Sequence, residues 1–319
     1  MKSYKAVFST SLLWKILAAS TLISFVVLLY FGREIYQQAP PMPAAVVSSN
    51  GSQIYSLDDI QRGQNIWQSL GGMQKGSIWG HGSYLAPDWS ADWLHKEAMV
   101  MLETNATQQH STSFEDLDTV EQAVLRARLV SEIRENTWDS STGVLTLGEL
   151  RTGAVQQTAS YYGNIFQSRD SELSRSLREQ YAFSQAITLS DTDMHALTAF
   201  IFWTSWSTVT DRPGDTVSYT SNWPYEPLVG NTPPPSLLIW TLLSVFLLIG
   251  AIGTLVWFYA QQYDRWRDDL EPEGGVAEDN LLAQAIQTPS MRATAKYFWT
   301  VLALYFMQGL NTTAAHGHG

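Results

Sequence analysis

The sequence predicts a mainly α membrane protein, in which transmembrane helices flank a large, mostly helical soluble domain. Three observations carry this. An apolar run from Leu12 to Phe31 has roughly the 20 residues that cross a bilayer as a helix. A second run, Leu237 to Tyr259, contains no charged residue. The stretch between them is long enough to bury a core of its own, and its apolar residues recur at helical spacing.

Taken in order, Lys2 and Lys5 precede the first span, residues 12–31, which assigns residues 1–11 to the cytoplasm. Lys15 is the only charge inside that span and lies near one end, where its long side chain snorkels. The run is long for a cleaved signal peptide. Gly32-Arg33-Glu34 also follows it where a small-residue cleavage site would stand, so a retained anchor is favoured. Residues 32–236 then form a periplasmic domain. It opens on a Pro-rich, extended linker, Gln37 to Pro43, and its folded part runs from about Ser56 to Pro235.

Within the domain, Leu57, Ile60, Trp67 and Leu70 predict a helix that ends at Gly71-Gly72. Ser90 caps a helix through Met101, with Asp92 in its first turn. Phe114 to Thr137 reads as an amphipathic helix with Leu117, Val120, Val124, Leu125, Leu129 and Ile133 on one side. Its Glu and Arg residues read as a solvated face. Gly143 to Leu147 reads as a short strand. Helices follow at Ser171 to Ala186 and at Asp191 to Thr208, the latter capped by Ser190 or Asp191. Thr210 to Pro235 is rich in Pro, Gly and Asn; loops of that length are functional or packed on something.

After the second span, residues 237–259, Arg265, Arg267, Arg292 and Lys296 flank a loop, 260–296, which places it on the cytoplasmic side. Residues 297–319 begin a third transmembrane helix. Its apolar run stops near Leu310, after about 14 residues, too few to cross. The expectation is therefore a chain truncated from a longer protein.

Composition removes several function classes. There is no Cys, which excludes disulfides, thiolate zinc sites, covalent c-type haem and cysteine nucleophiles. The net charge of -11, without a basic patch, argues against a nucleic-acid partner. The 13 Trp suit domain packing or membrane-interface anchoring. No phosphate loop, Ser-His-Asp constellation or Rossmann signature stands in a convincing context, which argues against kinase, nucleotide-dependent and hydrolase functions.

One loop is informative. It runs Gly71-Gly72-Met73-Gln74-Lys75-Gly76-Ser77, then Ile78-Trp79-Gly80-His81-Gly82-Ser83-Tyr84, then Leu85-Ala86-Pro87-Asp88. A c-type haem needs the order C-x-x-C-H. Ile78 to Tyr84 resembles the I-F-G-x-G-A-Y segment that follows such a motif in the small cytochrome c subunits of nitric oxide reductases. Counting back, the Cys, Cys and His positions fall on Gly72, Lys75 and Gly76, none of which holds haem. A second segment comprises Phe200 to Trp206, Asp211-Arg212-Pro213-Gly214, and Ser218 to Asn231 with the run N-W-P-x-E-P-L-V-G-N. Together the two segments resemble the quinol-dependent nitric oxide reductases of the haem-copper oxidase superfamily. Those enzymes carry a haem-free cytochrome-c-like domain fused ahead of the catalytic helices. The resemblance extends from the first span to about Leu310.

The resemblance implies a multi-pass protein of the bacterial inner (cytoplasmic) membrane, with a haem-free cytochrome-c-like domain in the periplasm. It implies a full-length denitrification enzyme that reduces NO to N2O with electrons from quinol. That enzyme holds two b-type haems, a non-haem iron and calcium, none of them in this chain. The family's catalytic helix bundle supplies the His and Glu ligands, whereas the first two spans here contain no His, Asp or Glu. No catalytic residue is assigned.

Gly82 and Tyr84 match residues near a calcium ion between haem propionates in the full-length enzyme; calcium readily takes backbone and side-chain oxygens. In this chain alone they read as a tight turn with Tyr84 packed in the core. His316, in Ala315-His316-Gly317-His318, stands near the family's quinol-side A-H-Y-x-x-E-G segment but lacks its Tyr and Glu. His316 and His318 read otherwise as a tail.

His81 reads as an exposed loop residue, against a proton-path or interface role. Asp88, Asp92 and Glu97 form a carboxylate group by sequence, two of them in position to support a helix start. Glu226 lines a proton entry or, more simply, bonds its loop backbone. His95, His110 and His195 lack metal-like spacing. Two functional readings follow. In one, the chain is the N-terminal segment of the reductase, capping the periplasmic face of the bundle, with membrane, quinol and NO as partners of the whole. In the other it is a membrane-anchored periplasmic binding or sensor module, or a non-catalytic accessory subunit.

Overall fold

A computed structural model of the chain describes residues 10–80, 87–167, 171–181, 183, 188–270 and 297–302. The chain divides into two compact units, Met1–Ile239 and Trp240–Gly319.

The first unit opens on α1, Thr10–Gln38, whose stretch Trp14–Gln38 is long and apolar enough to cross a membrane. The helix does not stop at Phe31. Arg33, Glu34 and the two Gln are good helix formers, and the Gln38 amide donates to the Glu34 carboxylate one turn back at 3.2 Å. Gln37 and Gln38 thus belong to the helix rather than to an extended linker.

The folded domain begins earlier than Ser56. Strands β1 (Ala45–Ser48) and β2 (Gln53–Ser56) form a hairpin, closed where Asn50 Oδ1 accepts from the Ser52 N–H at 2.9 Å. With β3 (Trp138–Asp139) and β4 (Val144–Leu147) they make a four-stranded sheet of order β2-β1-β4-β3. β1 runs antiparallel to β2 and parallel to β4, with Val46 opposite Leu145 and Ser48 opposite Leu147. All four of these residues are buried, on the face the pleat turns inward.

Helices carry the rest. α2 (Leu57–Ser69) starts in a reciprocal cap. Ser56 Oγ accepts from the Asp59 N–H at 3.1 Å and the Asp59 carboxylate accepts from the Ser56 N–H at 2.8 Å. α3 (Trp89–His110) is longer than the expected Ser90–Met101, and its cap is Asp88, not Ser90. α4 (Thr119–Arg134) is shorter than Phe114–Thr137, because Asp118 caps it by accepting from Val120 and Glu121.

The apolar stripe of α4 is narrower than its sequence spacing predicts. Leu125, Leu129 and Ile133 are buried, while Val120 is 72% exposed and Val124 is also exposed. At about 3.6 residues per turn, Val120 falls on the side opposite the Leu125-Leu129-Ile133 row.

α5 (Glu149–Phe166) has no counterpart among the helices expected from sequence. Its inward positions include Arg151, Thr152 and Thr158 beside Val155, Tyr162 and Ile165, so polar residues interrupt the apolar period. α6 (Glu172–Gln180) starts at the Ser171 cap and is shorter than Ser171–Ala186. α7 (Asp191–Val209) follows the Ser190 cap and is buried without interruption from Ala196 to Val209. It is the axis of the domain, packed against α2, α3 and α5. Trp89, Trp93, Trp206, Tyr162 and Phe202 are among the largest fully buried side chains.

α8 (Pro235–Leu270) contains Leu238–Phe258, again long and apolar enough to cross a membrane. It continues past Tyr259, so residues 260–270 are helical rather than loop. Residues 297–302 are helical too. Several tryptophans fill the core, while Trp14, Trp240, Trp257 and Trp299 are exposed on apolar helices.

Candidate functional site

The loop between α2 and α3 is organised by one carboxylate. Asp88 caps α3 by accepting from the Ala91 N–H at 3.0 Å, takes the Ser77 hydroxyl at 2.8 Å, and accepts from the Gly80 N–H. The Ser77 N–H donates to Pro87 O at 3.2 Å, and the Trp89 N–H donates to Ser77 O at 2.9 Å. The chain is therefore fixed at both Gly80 and Pro87. Gly82, Tyr84 and His81, singled out in this loop by sequence, lie outside the described residues, as do His316 and His318.

Trp79 sits at a left-handed φ of 57°. Its indole N–H is shared between Thr204 O and Ser207 Oγ of α7, both at 3.0 Å. Gly80 has φ 76°, and a Cβ there would lie 1.6 Å from Trp223 Nε1. Trp223 of the second signature segment thus rests directly on the first.

Of the positions aligned with a haem motif, Gly76 is closed off. At Gly76, φ is 151° and a Cβ would lie 2.0 Å from Trp89 Nε1. Trp89 is only 1% exposed. Its ring packs on Phe166 (centroids 5.3 Å), Tyr181 (5.4 Å) and Tyr162 (5.9 Å). The Lys75 ammonium lies over the Phe183 ring at 5.7 Å. A c-type haem does not fit these residues: the space beside Gly76 holds aromatic rings, and an axial His has nowhere to stand.

The segment after α7 folds around Arg134, the last residue of α4. The guanidinium bonds Asp211, Asn222 Oδ1 (2.9 Å) and Asn231 Oδ1 (3.4 Å). Asn222 Oδ1 also accepts from the Ser218 N–H at 2.9 Å, and Asn231 Nδ2 donates to Pro224 O at 2.8 Å. Arg134 therefore anchors this loop, which corrects the reading of the α4 charges as a solvated face. Glu226 bonds its loop backbone, accepting from the Leu228 N–H at 3.1 Å. Its other oxygen meets His95 Nδ1 of α3 at 3.0 Å. That hydrogen bond raises the His95 pKa above its ordinary value, against the opposing effect of burial.

The three carboxylates grouped by sequence have separate partners. Asp88 caps. Asp92 binds Lys96 and the Tyr162 hydroxyl, and burial first, then Asp92, pushes that phenol well above its usual range. Glu97 is fully buried against Arg151 Nε (2.7 Å) and the Trp93 indole N–H (2.8 Å). His110 lies 3.3 Å from Glu121, and His195 lies 3.7 Å from Asp59. Among the described residues no three His, Asp or Glu side chains gather as a metal site.

Sequence reasoning gave Arg134 and His95 no structural role and took Trp223 only as part of a motif. Arg134 reaches partners 77 to 97 positions away, which no local pattern reveals. The sequence reading set the cap of α3 on Ser90, although an Asp just before a periodic run is itself a helix-start signal.

Apolar helices that can cross a membrane, joined to a helical domain whose Gly-rich turn leads into its central packing, define a membrane protein with a cytochrome-c-like domain. A family model for the cytochrome c-like domain of the NorB subunit of nitric oxide reductase matches residues 43–225. The chain belongs to that family. No curated protein matches it.

Proposed function

We propose that this chain is the N-terminal segment of a quinol-dependent nitric oxide reductase and acts in it as a haem-free cap. The complete enzyme couples 2 NO + QH2 → N2O + H2O + Q, quinol giving up two electrons and two protons as it becomes quinone. Two b-type haems and a non-haem iron on the catalytic helices carry the redox chemistry, with calcium between haem propionates near Gly82 and Tyr84. The segment itself sits on the periplasmic face of the bundle in the bacterial inner membrane. There it covers the haem edge where a cytochrome donor would otherwise deliver electrons.

The observation that carries this reading is the contact at Gly76, where Trp89 stands in the place an axial His would need. A domain closed in this way positions and shields; it does not carry electrons. His316, beyond the apolar run that begins the third span, stands on the quinol side of the same reading.

The test is made on the complete enzyme, purified from the membrane. Its haem is extracted and classified spectroscopically, and NO consumption is followed with a quinol and with a reduced cytochrome as alternative donors. The expectation is b-type haem alone and turnover with quinol. A c-type haem signal, or turnover only with the cytochrome, overturns the reading.

A further inference from the structure

Where α1 ends, a cleft of about 500 Å³ opens against the domain, lined among others by Ile35, Met42, Trp79, Trp203 and Tyr219. Its volume lies within the roughly 300–1,000 Å³ of small-molecule sites. The polar atoms of its aromatic walls are turned away and used. The Trp79 indole N–H is held by Thr204 O and Ser207 Oγ. The Trp203 indole N–H donates to Pro41 O at 2.9 Å, and the Tyr219 hydroxyl accepts from Asn136 Nδ2 at 3.1 Å. What faces the cleft is mostly ring surface and aliphatic carbon, with Gln38 and Thr220 as its polar members, which suits a hydrocarbon and offers little to a sugar, a nucleotide or an ion.

Position identifies the occupant. Ile35 and Gln38 belong to the last turn of the membrane-crossing stretch Trp14–Gln38. The cleft is therefore continuous with the lipid-facing surface of α1, at the level where the span leaves the bilayer. At the rim, Arg212 bonds Gln38 Oε1 at 2.6 Å, setting a positive charge where a lipid phosphate would lie. We propose that this cleft seats an acyl chain of a membrane phospholipid, with its phosphate beside Arg212, and so ties the domain to the bilayer surface.

The proposal rests on α1 crossing the membrane, and its test separates the two. The full chain is placed in nanodiscs holding one copy each, which removes a second copy as occupant, with phosphatidylcholine bearing a diazirine on one acyl chain. After irradiation, adducts are mapped by mass spectrometry. The expected result is adducts on Phe25 in the span and also on Met42 and Tyr219. Ala39→Trp, at an exposed cleft-lining residue, should lower the cleft adducts at least fivefold and leave Phe25 unchanged.

Labelled Phe25 with an unlabelled wild-type cleft overturns the proposal alone. Unlabelled Phe25 overturns it together with the membrane reading of α1. Cleft adducts that persist in a folded Ala39→Trp also overturn it. Met42→Trp fills the same space from another wall and replaces Ala39→Trp if that variant does not fold.

Discussion

Restoring the haem motif by substitution should not restore a haem. The variant is Gly72→Cys, Lys75→Cys, Gly76→His, which writes C-x-x-C-H at the aligned positions. The critical change is at Gly76. Its φ of 151° is one that side-chain-bearing residues rarely adopt, and its added Cβ would lie 2.0 Å from Trp89 Nε1. Trp89 cannot swing aside, because it is 1% exposed and braced by Tyr162, Phe166 and Tyr181.

Forced overpacking costs about 1–3 kcal/mol, and an unfavoured backbone conformation adds about 1–3 kcal/mol. For a domain of this size each kcal/mol lowers Tm by about 2–4 °C, so the fall is on the order of 10 °C. The variant is co-expressed with a haem-attachment system. Covalent haem is read from the absorption spectrum, and Tm is read from tryptophan fluorescence of the full chain in detergent. Stoichiometric haem with an unchanged Tm would refute the view that aromatic side chains have taken over the site.

Three further outcomes follow from the buried polar contacts. Glu97→Gln or Arg151→Met should each cost about 3–5 kcal/mol by leaving a buried partner uncompensated, whereas Glu97→Leu with Arg151→Met should recover most of it; thermal unfolding of the four proteins decides, and equal losses in singles and double would count against the pair. Arg134→Ala removes the shared partner of Asp211, Asn222 and Asn231 and should cost about 2–3 kcal/mol, with amide exchange quickening first at residues 218–231. The His95–Glu226 contact raises the folded pKa of His95, so its stabilisation is fully present below the unfolded value of about 6.5 and is lost as pH rises through the folded value. Because the His95 side chain is half exposed, the effect stays below about 1 kcal/mol. A Tm difference between wild type and His95→Gln that is the same at low and high pH would contradict this.

The elements that were legible in the sequence are those with strong local signals. α2 and α7 announce themselves by Ser caps, acidic first turns and dense apolar spacing. The apolar stretches in α1 and α8 follow from composition alone. α5 was illegible because its inward face mixes Arg151, Thr152 and Thr158 with apolar residues. Such a face is stable only because Arg151 meets Glu97, 54 positions earlier. The β1–β2 hairpin was hidden by its brevity and by the Pro-rich segment before it, and the pairing that makes β1 a strand comes from β4, far along the chain. At the site, the Gly-rich turn was visible as a motif. Its reason, the approach of Trp89 and Trp223 to two glycines, needs the folded chain.

The polar residues that look reactive by type have a common employment in the fold. Asp88, Asp92, Glu97, Arg134 and Glu226 each bind two or more groups of the domain itself. These five hold caps, loop anchors and a buried pair together. Their placement matters for shape. Asp88 fixes where the Gly-rich loop leaves and returns, Arg134 fixes the Asn222–Asn231 run, and Trp223 on Gly80 locks the one against the other. The described parts of the two segments therefore meet at Gly80 and Trp223, and their geometry is set by the domain's own bonds. The stability of those bonds is where substitutions in this domain should register.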